Sequence, residues 1–205
     1  MSPLRRKERE ADFHGGFCDD VKEKLMKKAA VVSHGELTKT PSLRQPVLVI
    51  GIGTEFRGDD EAGLRVVRAL QTADLPPSVT VVEMKGDGAA LMELWKGTSQ
   101  VILVDAITAG LPPGSVIRID ARRELVTANL FATSSHSFGV AQALAISLAL
   151  HELPLCVTLF GIQAGNLRMG SDLSAEVQKA VPETSDAIQR ELAAADVAEQ
   201  SLSPS

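Results

Sequence analysis

Four short apolar runs set the architecture of this chain: "VLVIGIG" (47–53), "VTVVEM" (79–84), "QVILVDAI" (100–107) and "LCVTLFGIQ" (155–163). Each is too short for a typical helix, and in the purest of them no polar residue interrupts the run. That is the signature of strands covered on both faces, as in parallel sheets. Between them, apolar residues recur at helical spacing. In "DDEAGLRVVRALQTA" (59–73) the stripe is Ala62, Val66, Val67 and Leu70, and "LPP" ends it. "GAALMELWKG" (88–97) reads as a helix closed by glycine, and "FGVAQALAISLALHE" (138–152) as a buried one. A closing helix, "DLSAEVQKAVPETSDAIQRELAAA", is expected to be kinked or split at Pro182. Strand alternating with helix predicts a three-layer α/β/α sandwich with right-handed crossovers. With 44% hydrophobic but only 3% aromatic residues, its core must be aliphatic.

One connection breaks the parallel rule. "SVIRID" (115–120) alternates like a half-exposed edge strand, and only "TAGLPPG" separates it from the strand before. Seven residues cannot make a parallel crossover, so this strand is expected to run antiparallel to the rest. Residues 1–45 are polar and of mixed charge, with one weak helical stripe and a linker-like end, "SHGELTKTPSLRQP". We read them as an extension, 46–197 as the domain and 198–205 as a tail.

Charge narrows the partners. The chain carries a net charge of −5, and beyond residue 45 there are 11 Lys/Arg against 19 Asp/Glu. No nucleic-acid partner is expected of such a surface. No stretch reaches the ~18 apolar residues of a membrane span, and no signal-peptide pattern opens the sequence, so the expected setting is the cytoplasm, away from any membrane. Cys18 and Cys156 form neither a metal spacing nor a disulfide framework.

In an open α/β sheet, ligands bind beyond the carboxyl ends of the strands. The sequence sends to that rim Gly51, Gly53 and three successive acids, Asp59, Asp60 and Glu61; then Glu83, Lys85 and Asp87; then Asp105; then Gln163 and Asn166. His136 precedes the buried helix and belongs to the same rim. The glycines suggest a phosphate turn, but the third fingerprint position is Phe56. The acids would also occupy the positive helix end that an anion needs. Helix capping accounts for one aspartate, and Asp59 is assigned that role; taken singly, Asp105 reads equally as a turn cap and His136 as a hydrogen-bonded rim residue. Taken together, Asp60, Asp105 and His136 instead make a mixed oxygen/nitrogen set suited to zinc, nickel or a similar divalent ion.

The stretches "GIGTEFRGDDEAG", "ILVDA" and "SSHSFG", in this order and spacing, resemble the hydrogenase maturation proteases. The resemblance covers about residues 47–195. It implies a phosphorylase/hydrolase-like fold with a five-stranded mixed sheet of order 2-1-3-5-4, strand 4 antiparallel. It implies an endopeptidase with a metal-linked acidic (aspartyl-type) site. The activity would be removal of the C-terminal extension from the nickel-loaded large-subunit precursor of a nickel–iron hydrogenase. It places the metal-binding and catalytic roles on Asp60, Asp105 and His136. The nickel would be carried by the substrate, and the free protein would bind a divalent ion weakly. Three positions depart from the family pattern: Thr54 where Asn is usual, Glu61 where Gly is usual, and Ala164 where Pro often stands. The alternative is a non-catalytic module of the same fold that recognises the metal-loaded partner without cutting it.

Overall fold

A computed structural model of the protein describes residues 46–126 and 139–200. Its strands are β1 (Val47–Ile52), β2 (Val79–Met84), β3 (Gln100–Ile107), β4 (Val116–Asp120) and β5 (Cys156–Gln163). The helices are α1 (Ala62–Gln71), α2 (Gly88–Trp95), α3 (Ala121–Val126), α4 (Val140–Ala149) and α5 (Ala175–Gln200), with a 3-10 turn at Gly58–Glu61. The strands form one sheet in the order β2-β1-β3-β5-β4. All pairs are parallel except β4 with β5. The short 107–115 connection thus has the consequence expected of it: β4 leaves the carboxyl end of the sheet and runs back along its edge.

Period-two alternation divides the strand side chains between two cores. Leu48, Ile50 and Ile52 of β1, with Val101, Leu103 and Ile107 of β3, meet Leu91 and Trp95 of α2 and Val140, Ala143 and Leu144 of α4. The intervening residues, Val47, Val49, Ile102 and Val104, pack against Val66, Val67 and Leu70 of α1 and Val177, Ala180, Ile188 and Leu192 of α5. β1 and β3 are buried along their whole length, which is why they read as unbroken apolar runs.

Of the two outcomes expected at Pro182, the structure rules out the split: α5 runs 26 residues with the proline inside it. A mid-helix proline costs about 3 kcal/mol, and the four large and small apolar residues that α5 buries on both sides of Pro182 offset that cost. α3 went unforeseen, although its start is legible. Asp120 ends β4, and its Oδ1 accepts the Arg123 backbone N–H at 3.0 Å, an N-cap for "ARRELV". Among the described residues, no helix is long and apolar enough to cross a membrane.

Candidate active site

The three acids after β1 part company. Asp59 is fully buried, and it does not cap its own helix, contrary to its assigned role. Its carboxylate reaches across to the segment between β5 and α5. There Oδ2 accepts the backbone N–H groups of Gly165 and Asn166, both at 2.8 Å, and the Ser174 hydroxyl at 3.0 Å. Oδ1 accepts the Ser174 N–H at 2.6 Å. A carboxylate can leave water only where donors replace it, and four do so here. The helix after the turn has no side-chain cap at all.

Glu61 turns the other way. Its Oε1 lies 2.7 Å from Arg65 Nε and 3.2 Å from the Arg68 guanidinium. Arg68 also grips Glu83 through two bonds, of 3.0 and 2.7 Å, and Glu55 at 2.5 Å. Those hydrogen bonds, Glu83 first and Glu55 next, hold Arg68 still further into its charged form than an ordinary arginine. The glutamate at position 61, where glycine is usual, therefore adds ion pairs on the α1 side and turns away from Asp60.

Asp60 lies between these two and is 2% exposed. The 3-10 turn sets it directly against the end of β1: a methyl group at Gly53 would overlap the Asp60 carbonyl. On the neighbouring strand, Asp105 is fully buried one residue past Val104, which pairs with Gly51. It belongs to the row Val101, Leu103, Ile107, on the face covered by α2 and α4, and its β5 partner is Gly161. The structure thus brings Asp60 and Asp105 to the carboxyl ends of adjacent strands, with their carboxylates almost wholly shielded from bulk water. His136 lies outside the described residues. The described chain resumes at Gly139, which packs against Gly86 in the loop after β2 and Gly88 at the start of α2, at this same end of the sheet. Among the described residues no three His, Cys, Asp or Glu side chains form a metal-binding group. Carboxylates are hard oxygen donors, so Asp60 and Asp105 are the described side chains at this end that could hold a divalent ion.

Other rim residues are structural. Asp87 caps α2 by accepting the Ala90 N–H at 2.8 Å. Gln163 organises the turn after β3: its Oε1 accepts the N–H groups of Ala109 (2.8 Å) and Leu111 (3.2 Å), and its Nε2 donates to Ala164 O. Ala164, where proline would be usual, uses the N–H that proline lacks to bond Ile107 O at 2.9 Å.

One rim feature had no signal in the sequence. Phe56 sits at φ 58°, a left-handed conformation that costs a non-glycine residue about 1–3 kcal/mol. Yet its ring is 71% exposed. Gly170 N–H donates to Phe56 O at 2.6 Å, Gly58 N–H to Ser171 O at 3.0 Å and Asp59 N–H to Asn166 O at 2.7 Å, which locks this loop to the one after β5.

Comparison with known proteins decides the family. Residues 64–191 match the family HycI, hydrogenase maturation protease. The chain belongs to the hydrogenase maturation protease family. It is a peptidase of that family, and the matched stretch takes in Asp105 and His136 and begins four residues beyond Asp60. A Methanocaldococcus jannaschii protein provisionally named a hydrogenase maturation protease is 32% identical over 154 residues, 73% of this chain and 97% of that one. The hydrogenase maturating endopeptidase HybD from Escherichia coli superposes with a TM-score of 0.63 at 25% identity, covering 70% of this chain and 89% of that one. The [NiFe] hydrogenase maturation protease HybD from Thermococcus kodakarensis gives 0.59 at 25% identity, over 72% and 99% of the two chains.

Proposed function

We propose that the protein removes the C-terminal extension of the nickel-loaded large-subunit precursor of a nickel–iron hydrogenase, and that Asp60, Asp105 and His136 read the nickel the precursor carries. The observation that supports this reading is the separation of roles among three consecutive acids. Asp59 is committed to backbone donors and Glu61 to arginines, while Asp60 stands with Asp105 at adjoining strand ends. Two charged carboxylates buried at adjoining strand ends repel each other, and a cation arriving between them would relieve that repulsion. Such a pair has a reason to hold metal weakly alone and well when the substrate brings further ligands.

The chemistry open to the pair is hydrolysis. A carboxylate oxygen takes a proton from water as the water oxygen adds to the scissile carbonyl carbon. It then hands the proton to the leaving amine as the C–N bond breaks. A divalent ion held by Asp60 and Asp105 would supply positive charge for the carbonyl oxygen. Burial of both carboxylates keeps the surrounding dielectric low, so charge placed there acts strongly.

The test is a mobility-shift assay with purified nickel-loaded precursor. The expected result is trimming by the wild-type protein and none by Asp60→Asn, Asp105→Asn or His136→Ala. Complex formation with no trimming by the wild type would replace the protease with a recognition module.

A further inference from the structure

The rim carries a face that the peptidase chemistry does not use. Phe56 is 71% and Met169 72% exposed, and both lie on the two loops that the 2.6 Å bond from Gly170 N–H to Phe56 O holds together. Their sequence neighbours Arg57 and Arg168 are exposed as well. Among the described residues neither guanidinium has a carboxylate partner, whereas Arg65 and Arg68 of α1 are saturated with glutamates. Glu55, which precedes Phe56, is taken by Arg68, and Asp172 is the acid that borders the face. In a chain with an excess of acids this is a local concentration of uncompensated positive charge flanked by apolar side chains.

The face is also rigid. Arg57 forms a β-bridge with Ser171, Gly58 N–H donates to Ser171 O, and the Asp59 carboxylate ties the same two loops from beneath. A large aromatic held in a strained backbone conformation with its ring in water is costly twice over. A partner that covers the ring recovers the second cost, and the strain is what keeps the ring turned outward to meet it.

Resting on the function proposed above, we infer that Phe56, Arg57, Arg168 and Met169 dock the precursor's C-terminal extension, and that this extension presents apolar side chains interleaved with carboxylates. Charge complementarity selects that occupant: two free guanidiniums favour a carboxylate-bearing segment, and two bare apolar side chains favour one with hydrophobic anchors. The face lies three to four residues from Asp60 along the chain on one side, and on the other it is tied to the neighbouring Asp59. A docked extension is therefore delivered to the acids in a fixed register.

The test uses a nickel-loaded precursor that the wild-type protein trims. Phe56→Gly suits the left-handed backbone and should melt no lower than the parent, yet its kcat/KM should fall at least tenfold, carried by KM. The double variant Arg57→Glu/Arg168→Glu should show a larger rise in KM. It should also lose the salt dependence of KM that the wild type shows. Leu155→Ser, a change at an equally exposed apolar residue before β5, at the opposite end of the sheet, should leave all these values alone. Trimmed large subunit should compete poorly with precursor for the wild type. The inference is overturned alone if the wild type trims while Phe56→Gly and the double variant keep KM within twofold, or if trimmed subunit competes as well as precursor. A wild type that binds precursor without trimming overturns the functional reading, and with it the inference.

Discussion

The two ends of this sheet solve the same problem by different means. At the amino end, where β1, β3 and β5 begin, neighbouring segments are joined by backbone bonds such as Val47 N–H to Ser78 O and Cys156 N–H to Ser99 O, both 3.0 Å. At the carboxyl end the chain buries Asp59, Asp60, Glu61, Asp105 and Gln163. Buried charge is an expensive way to join loops. Its concentration at one end separates the part of the molecule selected for packing from the part selected for chemistry. Within that end the lesson repeats at finer scale: of three consecutive acids, Asp59 joins loops, Glu61 pairs with arginines of α1, and Asp60 is buried against the end of β1.

The difference between the ends can be broken by substitution. Asp59→Ala should have the largest effect, a loss of about 3–4 kcal/mol in urea unfolding, because the donors of Gly165, Asn166 and Ser174 lose a charged acceptor together. Asp59→Asn should recover only part of this, since the amide places a donor where donors already point. Asp60→Asn and Asp105→Asn should lower precursor trimming more than about a hundredfold, about 2.7 kcal/mol in barrier terms, with unfolding midpoints at or above the parent's. A stability loss in either one, as large as that of Asp59→Ala, would make it a second fastening residue. Gly63→Ala, at the active end, would overlap the carbonyls of Ile52 and Val104 and should cost about 2–3 kcal/mol. Gly97→Ala, at φ 75° near the start of β3, meets nothing within 4 Å and should cost about 1 kcal/mol from its backbone angle alone. Differential scanning calorimetry of the two glycine variants measures this contrast directly. Leu155→Ser, exposed at the quiet end, should change stability by less than about 0.5 kcal/mol.

Much of this was readable in advance. The apolar runs marked β1, β2, β3 and β5 to within a residue or two, most cleanly β1 and β3, because a strand buried on both faces has no freedom to alternate. The seven-residue connection dictated the direction of β4. Asp60 and Asp105 were visible because polar residues interrupt or follow apolar strands only at some cost. What was not legible depended on contacts distant in sequence. Asp59 looked like a cap for the adjacent helix, since capping is a local rule, but its partners are 106 to 115 residues away. Pro182 looked like a break, since propensity is also local, and burial on two sides of α5 overrode it. The pairing of Glu61 with Arg68 was within reach, because residues seven apart share a helical face.

The reach of Asp59 has a consequence for how the protein is made. During synthesis the acidic turn emerges early, while its donors at Gly165, Asn166 and Ser174 follow more than a hundred residues later. Until they arrive, the turn beside Asp60 has no lid of backbone N–H groups to hold it, and closing so long a loop is a late entropic expense. A ribosome-bound chain that stops after β5 would therefore possess Asp60 and Asp105 without the scaffold that aims them. The acidic turn is fastened only once the segment through Ser174 has been made.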